Sequence, residues 1–142
     1  MLLSSTGQPL SGSEKGYGIY FLVNDLDNID WLLSENEIYE TFYGALALLS
    51  GGTVNGVRTS ITSNTTSGNN GYSDLWYRSS NPDTYVCMET SENMFSSGIY
   101  LQNPVDGEFH IEDYPNLSAN NNNVPVTPEG TISDTDAFSN CP

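Results

Sequence analysis

A chain of 142 residues fits one domain of ordinary size. Its 18 Asp and Glu residues face only Lys15, Arg58 and Arg78, a formal charge of −15, so phosphate backbones and anionic membrane surfaces would repel it. Direct nucleic-acid binding and membrane binding are therefore excluded, and the acids are too sparsely clustered to imitate DNA.

Hydrophobic residues make up 37%, while Asn, Ser and Thr contribute 16, 18 and 12. Their short polar side chains compete for nearby backbone groups, which favours turns, caps and strand surfaces over helix interiors. Residues 1–16 are rich in Ser and Gly and are expected to form an N-terminal arm. Met1-Leu2-Leu3 leads directly into Ser4-Ser5-Thr6-Gly7, with no apolar stretch of signal-peptide length. Synthesis in a cytoplasm without a signal peptide is the corresponding expectation. The longest apolar run, Ala45 to Leu49, is far too short to span a membrane.

Gly16 to Val23 is β-branched and aromatic and predicts a buried strand. Asp27, Asn28 and Asp30 offer caps for a short helical turn over Ile29 to Leu33. Ser34-Glu35-Asn36-Glu37 has the form of a capping box, followed by Ile38, Phe42, Ala45, Leu46 and Leu49 at helical spacing and by Ser50-Gly51-Gly52 as a stop. One main helix over about 35–50 follows from this pattern, packed on a sheet. Strands are predicted over 53–62, 72–79, 84–90, 98–102 and 107–113, with Asn70-Gly71 and Asp106-Gly107 suited to hairpin turns.

Past Tyr114, the run Asn120-Asn121-Asn122-Asn123 and the prolines 115, 125, 128 and 142 predict an extended C-terminal arm over 115–142, beyond a compact α+β domain over 17–114. The expected fold is thus α+β and mainly antiparallel: a sandwich, small barrel or open sheet with one helix. No internal repeat is evident. Cys87 and Cys141 either form one disulfide pinning that arm or are two unrelated thiols.

Chemical constellations are few. Asn24 to Asp30 alternates side-chain oxygens but fails a calcium-loop template, because Asp30 stands where glycine is required and Asn36 where the last glutamate belongs. His110, the only histidine, shares a strand face with Glu108 and Glu112 but has no nucleophile motif beside it. No phosphate loop, metal set or cofactor motif is present, and no catalytic residue stands out. Asn64-Thr65-Thr66 and Asn116-Leu117-Ser118 match the glycosylation sequon.

The aromatic stretch around Trp76 carries more. Strand alternation puts Tyr72, Asp74, Trp76 and Arg78 on one half-polar face, the candidate interface or ligand surface. A lysine-poor composition, arms at both ends and no exported leader lead to the expectation of a non-enzymatic virion component. A phage capsid decoration or tail protein binding other virion subunits or its own copies would fit. The alternative is a secreted or surface glycan-binding module using the Trp and Tyr face.

Overall fold

The computed structural model describes residues 2–4, 16–23, 28–51, 56–68 and 73–141. Every strand pairing among them is parallel, and the strands stack as successive coils of a β-solenoid. β1 (Leu2–Ser4) pairs with the third strand of the first coil, which comprises β2 (Tyr17–Val23), β3 (Asn28–Ser34) and β4 (Glu37–Tyr39). The second coil is β5 (Gly44–Ser50), β6 (Gly56–Thr62) and β7 (Thr65–Ser67). The third carries β8 (Leu75–Ser79) and β9 (Tyr85–Ser91), the fourth β10 (Ile99–Asn103) and β11 (Phe109–Glu112), the fifth β12 (Val126–Gly130) and β13 (Ser133–Thr135). The first face is the sheet β12-β10-β8-β5-β2, the second is β13-β11-β9-β6-β3, and the third is β1-β4-β7.

The interior is assembled by register. On the first face Ile19, Leu46, Leu75, Ile99 and Val126 pair in one column, and Phe21, Leu48, Tyr77 and Leu101 in the next. Ile29, Val57, Val86 and Phe109 form the matching column of the second face. Each apolar side chain therefore lies on a like neighbour one coil away. Leu46, Leu48, Val57, Ile61, Leu75 and Leu101 are fully buried, and each such side chain is worth roughly 1.5–3 kcal/mol. Tyr77 enters this core with its hydroxyl 3.2 Å from Thr59 Oγ1, and burial raises its pKa.

One corner is polar and repeats. Asn36, Asn64, Asn93 and Asn121 are buried one above another, 28, 29 and 28 residues apart. The Nδ2 of each donates to the Oδ1 of the next at 2.8, 2.8 and 2.7 Å. Asn64 also donates to Leu33 O, and Asn93 to Ile61 O, both at 2.8 Å. The residues just before the first three, Glu35, Ser63 and Glu92, have φ of 55°, 57° and 59°. That left-handed conformation makes the sharp turn, and the amide ladder pairs the backbone groups the turn leaves inside.

Several expectations are corrected by this architecture. The antiparallel α+β fold is replaced by parallel sheets, and the described residues contain no α-helix. The helix expected at 35–50 is β4, a turn and β5, while the helical turn at 29–33 lies within β3. Ser34 to Glu37 is a ladder corner instead of a cap: Glu35 N–H donates to Thr62 O, and Asn36 enters the ladder. Gly44 to Leu48 is buried on both sides, which hides the strand alternation and imitates a helix. Asp106-Gly107 joins two faces of one coil and makes no hairpin. Asn70-Gly71, Asp27 and residues 24–26 of the calcium-like stretch lie outside the described residues.

The chain is also internally repetitive, with a coil of 28 or 29 residues. Residues 115–141 do not form an extended arm: they bury Leu117, Asn121 and Val124 and supply β12 and β13. After β13 the chain doubles back over the outside of the second face. The 3-10 turn Phe138–Asn140 follows, with Phe138 under the Arg58 guanidinium, 4.8 Å from carbon to ring centre. Cys141 is joined to Cys87 as a disulfide, Cα atoms 6.0 Å apart. At the other end, Leu2–Ser4 of the expected N-terminal arm pairs with β4.

Candidate functional site

Alternation along β8 turns Leu75 and Tyr77 inward and Trp76 and Arg78 outward, so the sequence-predicted pair Trp76 and Arg78 does share an outer face. Asp74 does not join them. It is fully buried at the corner before β8, where its Oδ2 accepts the backbone N–H groups of Ser96, Ser97 and Gly98, the first at 2.7 Å and the last at 3.3 Å. Alternation cannot be extended through a corner, and Asp74 is a cap for the next coil. Tyr72 lies outside the described residues.

Register brings other rings to Trp76. Tyr20, Ala47, Trp76, Tyr100 and Thr127 form one outward column across five coils. The Tyr17 ring sits between Tyr20 and Trp76, with centroids 5.8 and 5.9 Å away. Ala47, paired with both Tyr20 and Trp76, is fully buried, and Tyr17 lies beside its own register partner Gly44, where a Cβ would come within 3.5 Å of the Tyr17 ring. Tyr43 flanks Tyr17 at 6.1 Å and meets Phe42 edge-on at 4.9 Å. Tyr17, Tyr43 and Tyr100 have no signal in local sequence, because they come from other coils. The repeat of Ser34-Glu35-Asn36, Thr62-Ser63-Asn64 and Ser91-Glu92-Asn93 is the sequence feature that would have aligned those coils.

Beside the rings runs a column that begins with Leu49 and turns polar at Arg78, Gln102 and Glu129. Trp76 Nε1 donates to Gln102 Oε1 at 2.7 Å. Gln102 Nε2 donates to the Tyr100 hydroxyl at 2.8 Å and to Glu129 Oε2 at 2.6 Å. The Tyr100 hydroxyl donates to that same oxygen at 2.6 Å. This hydrogen bond raises the Tyr100 pKa, and it is also the main reason the Glu129 pKa is lowered, with Gln102 second. The network locks the rotamers of four side chains across three coils. Arg78 Nε is buried and has no partner among the described residues. A cavity of about 480 Å³ opens beside Tyr100, lined by Ser73, Ile99, Tyr100 and Thr127.

Other candidate chemistry is weaker. His110 stacks on Tyr85 at 4.9 Å and lies 3.7 Å from Glu108 Oε2, as an outward residue of the second face. A hollow of about 300 Å³ is lined by Glu89, Thr90, Ser91, Glu112, Asp113 and Asn120. The Asp113 oxygens there already accept from Asn116 and Asn120. Among the described residues no three His, Cys, Asp or Glu side chains come close enough to hold a metal. Asn64 of the first sequon is fully buried in the ladder and closed to glycosylation, while Asn116 of the second is exposed.

Parallel coils, a buried amide ladder and an outward aromatic column define the class as a β-solenoid with a preformed surface platform. No family model, curated protein or solved structure matches the chain. No helix among the described residues is long and apolar enough to cross a membrane.

Proposed function

We propose that this chain is a non-enzymatic recognition module that binds glycans through the outer side of its first face. The observation that carries the reading is the in-register column of Tyr20, Trp76 and Tyr100, with the Tyr17 ring packed between the first two and the amide and carboxylate of Gln102 and Glu129 beside it. Aromatic faces cover the apolar C–H faces of sugars, and fixed amides and carboxylates hydrogen-bond hydroxyls. Binding residues held by neighbours on a rigid sheet lose little conformational entropy when a ligand arrives. The test is a broad glycan array probed with the full chain and with Trp76→Ala. Binding that is lost in the variant at unchanged circular dichroism supports the reading; an intact signal, or none from either protein, rejects it.

A second reading, a subunit of a virus particle such as a phage capsid decoration or tail component, is favoured by a different observation. Leu22 and Leu32, on the outer sides of β2 and β3, are 55% and 72% exposed, and both belong to the first coil. Exposed leucines at one end of a stack suit burial against another subunit. Light scattering across concentration and salt tests this reading. A defined oligomer that tightens as salt screens the −15 charge, and that Leu32→Glu dissolves, supports it. A monomer under every condition counts against self-assembly.

A further inference from the structure

We infer that the ligand of the first face is a single, uncharged, linear polysaccharide chain lying along the solenoid axis, with one sugar unit over each of four successive ring positions. This deepens the glycan-binding reading and rests on it, adding direction, length and charge.

Direction follows from where the rings repeat. Along a strand, outward positions alternate, and the outward neighbour of Trp76 is Arg78; a ligand running along one strand would meet a single ring. Across the strands, the column holds Tyr20, Trp76 and Tyr100, with the Tyr17 ring packed between the first two. Strands of neighbouring coils lie about 4.8 Å apart. The Tyr17 ring lies 5.8 and 5.9 Å from those on either side. Both spacings resemble the length one pyranose adds to an extended chain, so successive units can meet successive rings without bending.

The shape of the platform selects a single chain. Tyr20 and Trp76 are tilted by 38° and 33° to the Tyr17 ring, giving a faceted surface. A flat crystalline polymer face would touch only part of it, while one flexible chain can turn from facet to facet. Charge argues for a neutral chain: Arg78 and Glu129 balance within the polar column, leaving no net charge there to hold an ionic ligand, and the formal charge of −15 repels an anionic one. The Gln102 amide, itself uncharged, is the group that bridges ring to ring.

The test is calorimetric titration of the full chain with linear neutral gluco-, manno- and galacto-oligosaccharides from disaccharide to octasaccharide, beside oligogalacturonates of the same lengths. Affinity is expected to rise about threefold or more with each unit up to the tetrasaccharide, then to level off. Tyr20→Ala, a change at an exposed ring, should move the plateau to the trisaccharide. Thr127→Trp, which adds a ring at the exposed fifth position of the column, should move it to the pentasaccharide. Equal affinity for disaccharide and octasaccharide overturns the axial arrangement while leaving glycan binding intact. Stronger binding of the oligogalacturonates overturns the neutral ligand class. Binding by no member of the panel overturns both this inference and the reading beneath it.

Discussion

The outer sides of the first and second faces rest on the same architecture, a five-stranded parallel sheet, but among the described residues only one of them is covered. On the second face Arg58 lies against Phe138 and Cys87 is bonded to Cys141, so the last residues of the chain close over coils two and three. Cys87, an outward position by alternation, is fully buried as a result. On the first face the rings of Tyr20 and Trp76 pack on Tyr17 instead, Tyr100 is tied to Trp76 through Gln102, and Tyr20 remains 51% exposed. In a solenoid the inward columns and the corner ladder specify the fold, which frees outward residues for other uses. The second face uses its outward residues to hold the chain end, and the first keeps an ordered aromatic surface that no other described strand overlies.

The comparison is broken most forcefully at the clasp. Replacing Cys87 and Cys141 together by Ser should cost about 4 kcal/mol, because the bridge closes a loop between residues 54 positions apart. Urea unfolding reads this loss, and glycan binding of the first face should be unchanged in the folded variant. If binding falls along with stability, the two faces are not independent and the contrast between them fails.

A smaller effect is expected from crowding the open face. Ala47→Leu inserts three carbons between Tyr20 and Trp76, the register partners of Ala47, where Ala47 has no exposed surface, and overpacking of this kind costs about 1–3 kcal/mol. Near-ultraviolet circular dichroism should change as the ring contacts between Tyr17, Tyr20 and Trp76 are disturbed. An unperturbed aromatic spectrum would show that the ring cluster does not depend on the small side chain at Ala47.

Much of the strand content was legible in the sequence, and its assembly was not. Val57, Thr59 and Ile61 alternate with Arg58 and Ser60, so the strand is evident, yet alternation is identical in parallel and antiparallel sheets. The direction of pairing is carried by the corners, where a Ser or Thr, a left-handed residue and a buried Asn recur. Only the Asn is common to all the corners, and the inward columns exchange Ile, Leu and Val freely, which erases the repeat at the level of identity. Trp76 and Arg78 were correctly paired by alternation because both lie within β8. Asp74 was misplaced because it precedes the strand, and the rings that complete the platform are separated from Trp76 by one or more whole coils.

The same contrast sharpens at single rings. Trp76→Ala should weaken binding of a neutral tetrasaccharide about tenfold, since it removes a central ring of the platform. Tyr85→Ala, the matching removal of a ring stacked on His110 at 4.9 Å on the second face, should leave binding within about twofold. Equal losses would show that the aromatic platform is not the binding surface, and calorimetry on both variants decides it.

The smallest effect concerns how the platform holds its shape with pH. Glu129 has its pKa lowered from an ordinary 4.5, chiefly by the Tyr100 hydroxyl and then by Gln102. Its contribution is therefore complete above that ordinary value and is lost as pH falls through the lower, folded-state value. Tyr100 has its pKa raised from 10.0, chiefly by the same bond, so its contribution is complete below 10.0 and lost as pH rises through the raised value. Both groups are exposed enough for solvent to keep the effect on stability small. Binding should report it more clearly: the Trp76–Gln102–Tyr100–Glu129 network is intact between these limits, and affinity should fall on either side. Glu129→Gln keeps a carbonyl acceptor but no titrating carboxylate, so the acid limb should flatten while the alkaline limb, set by Tyr100, remains. Titrations at several pH values on the two proteins distinguish this outcome from an acid limb that persists, which would assign it to another group.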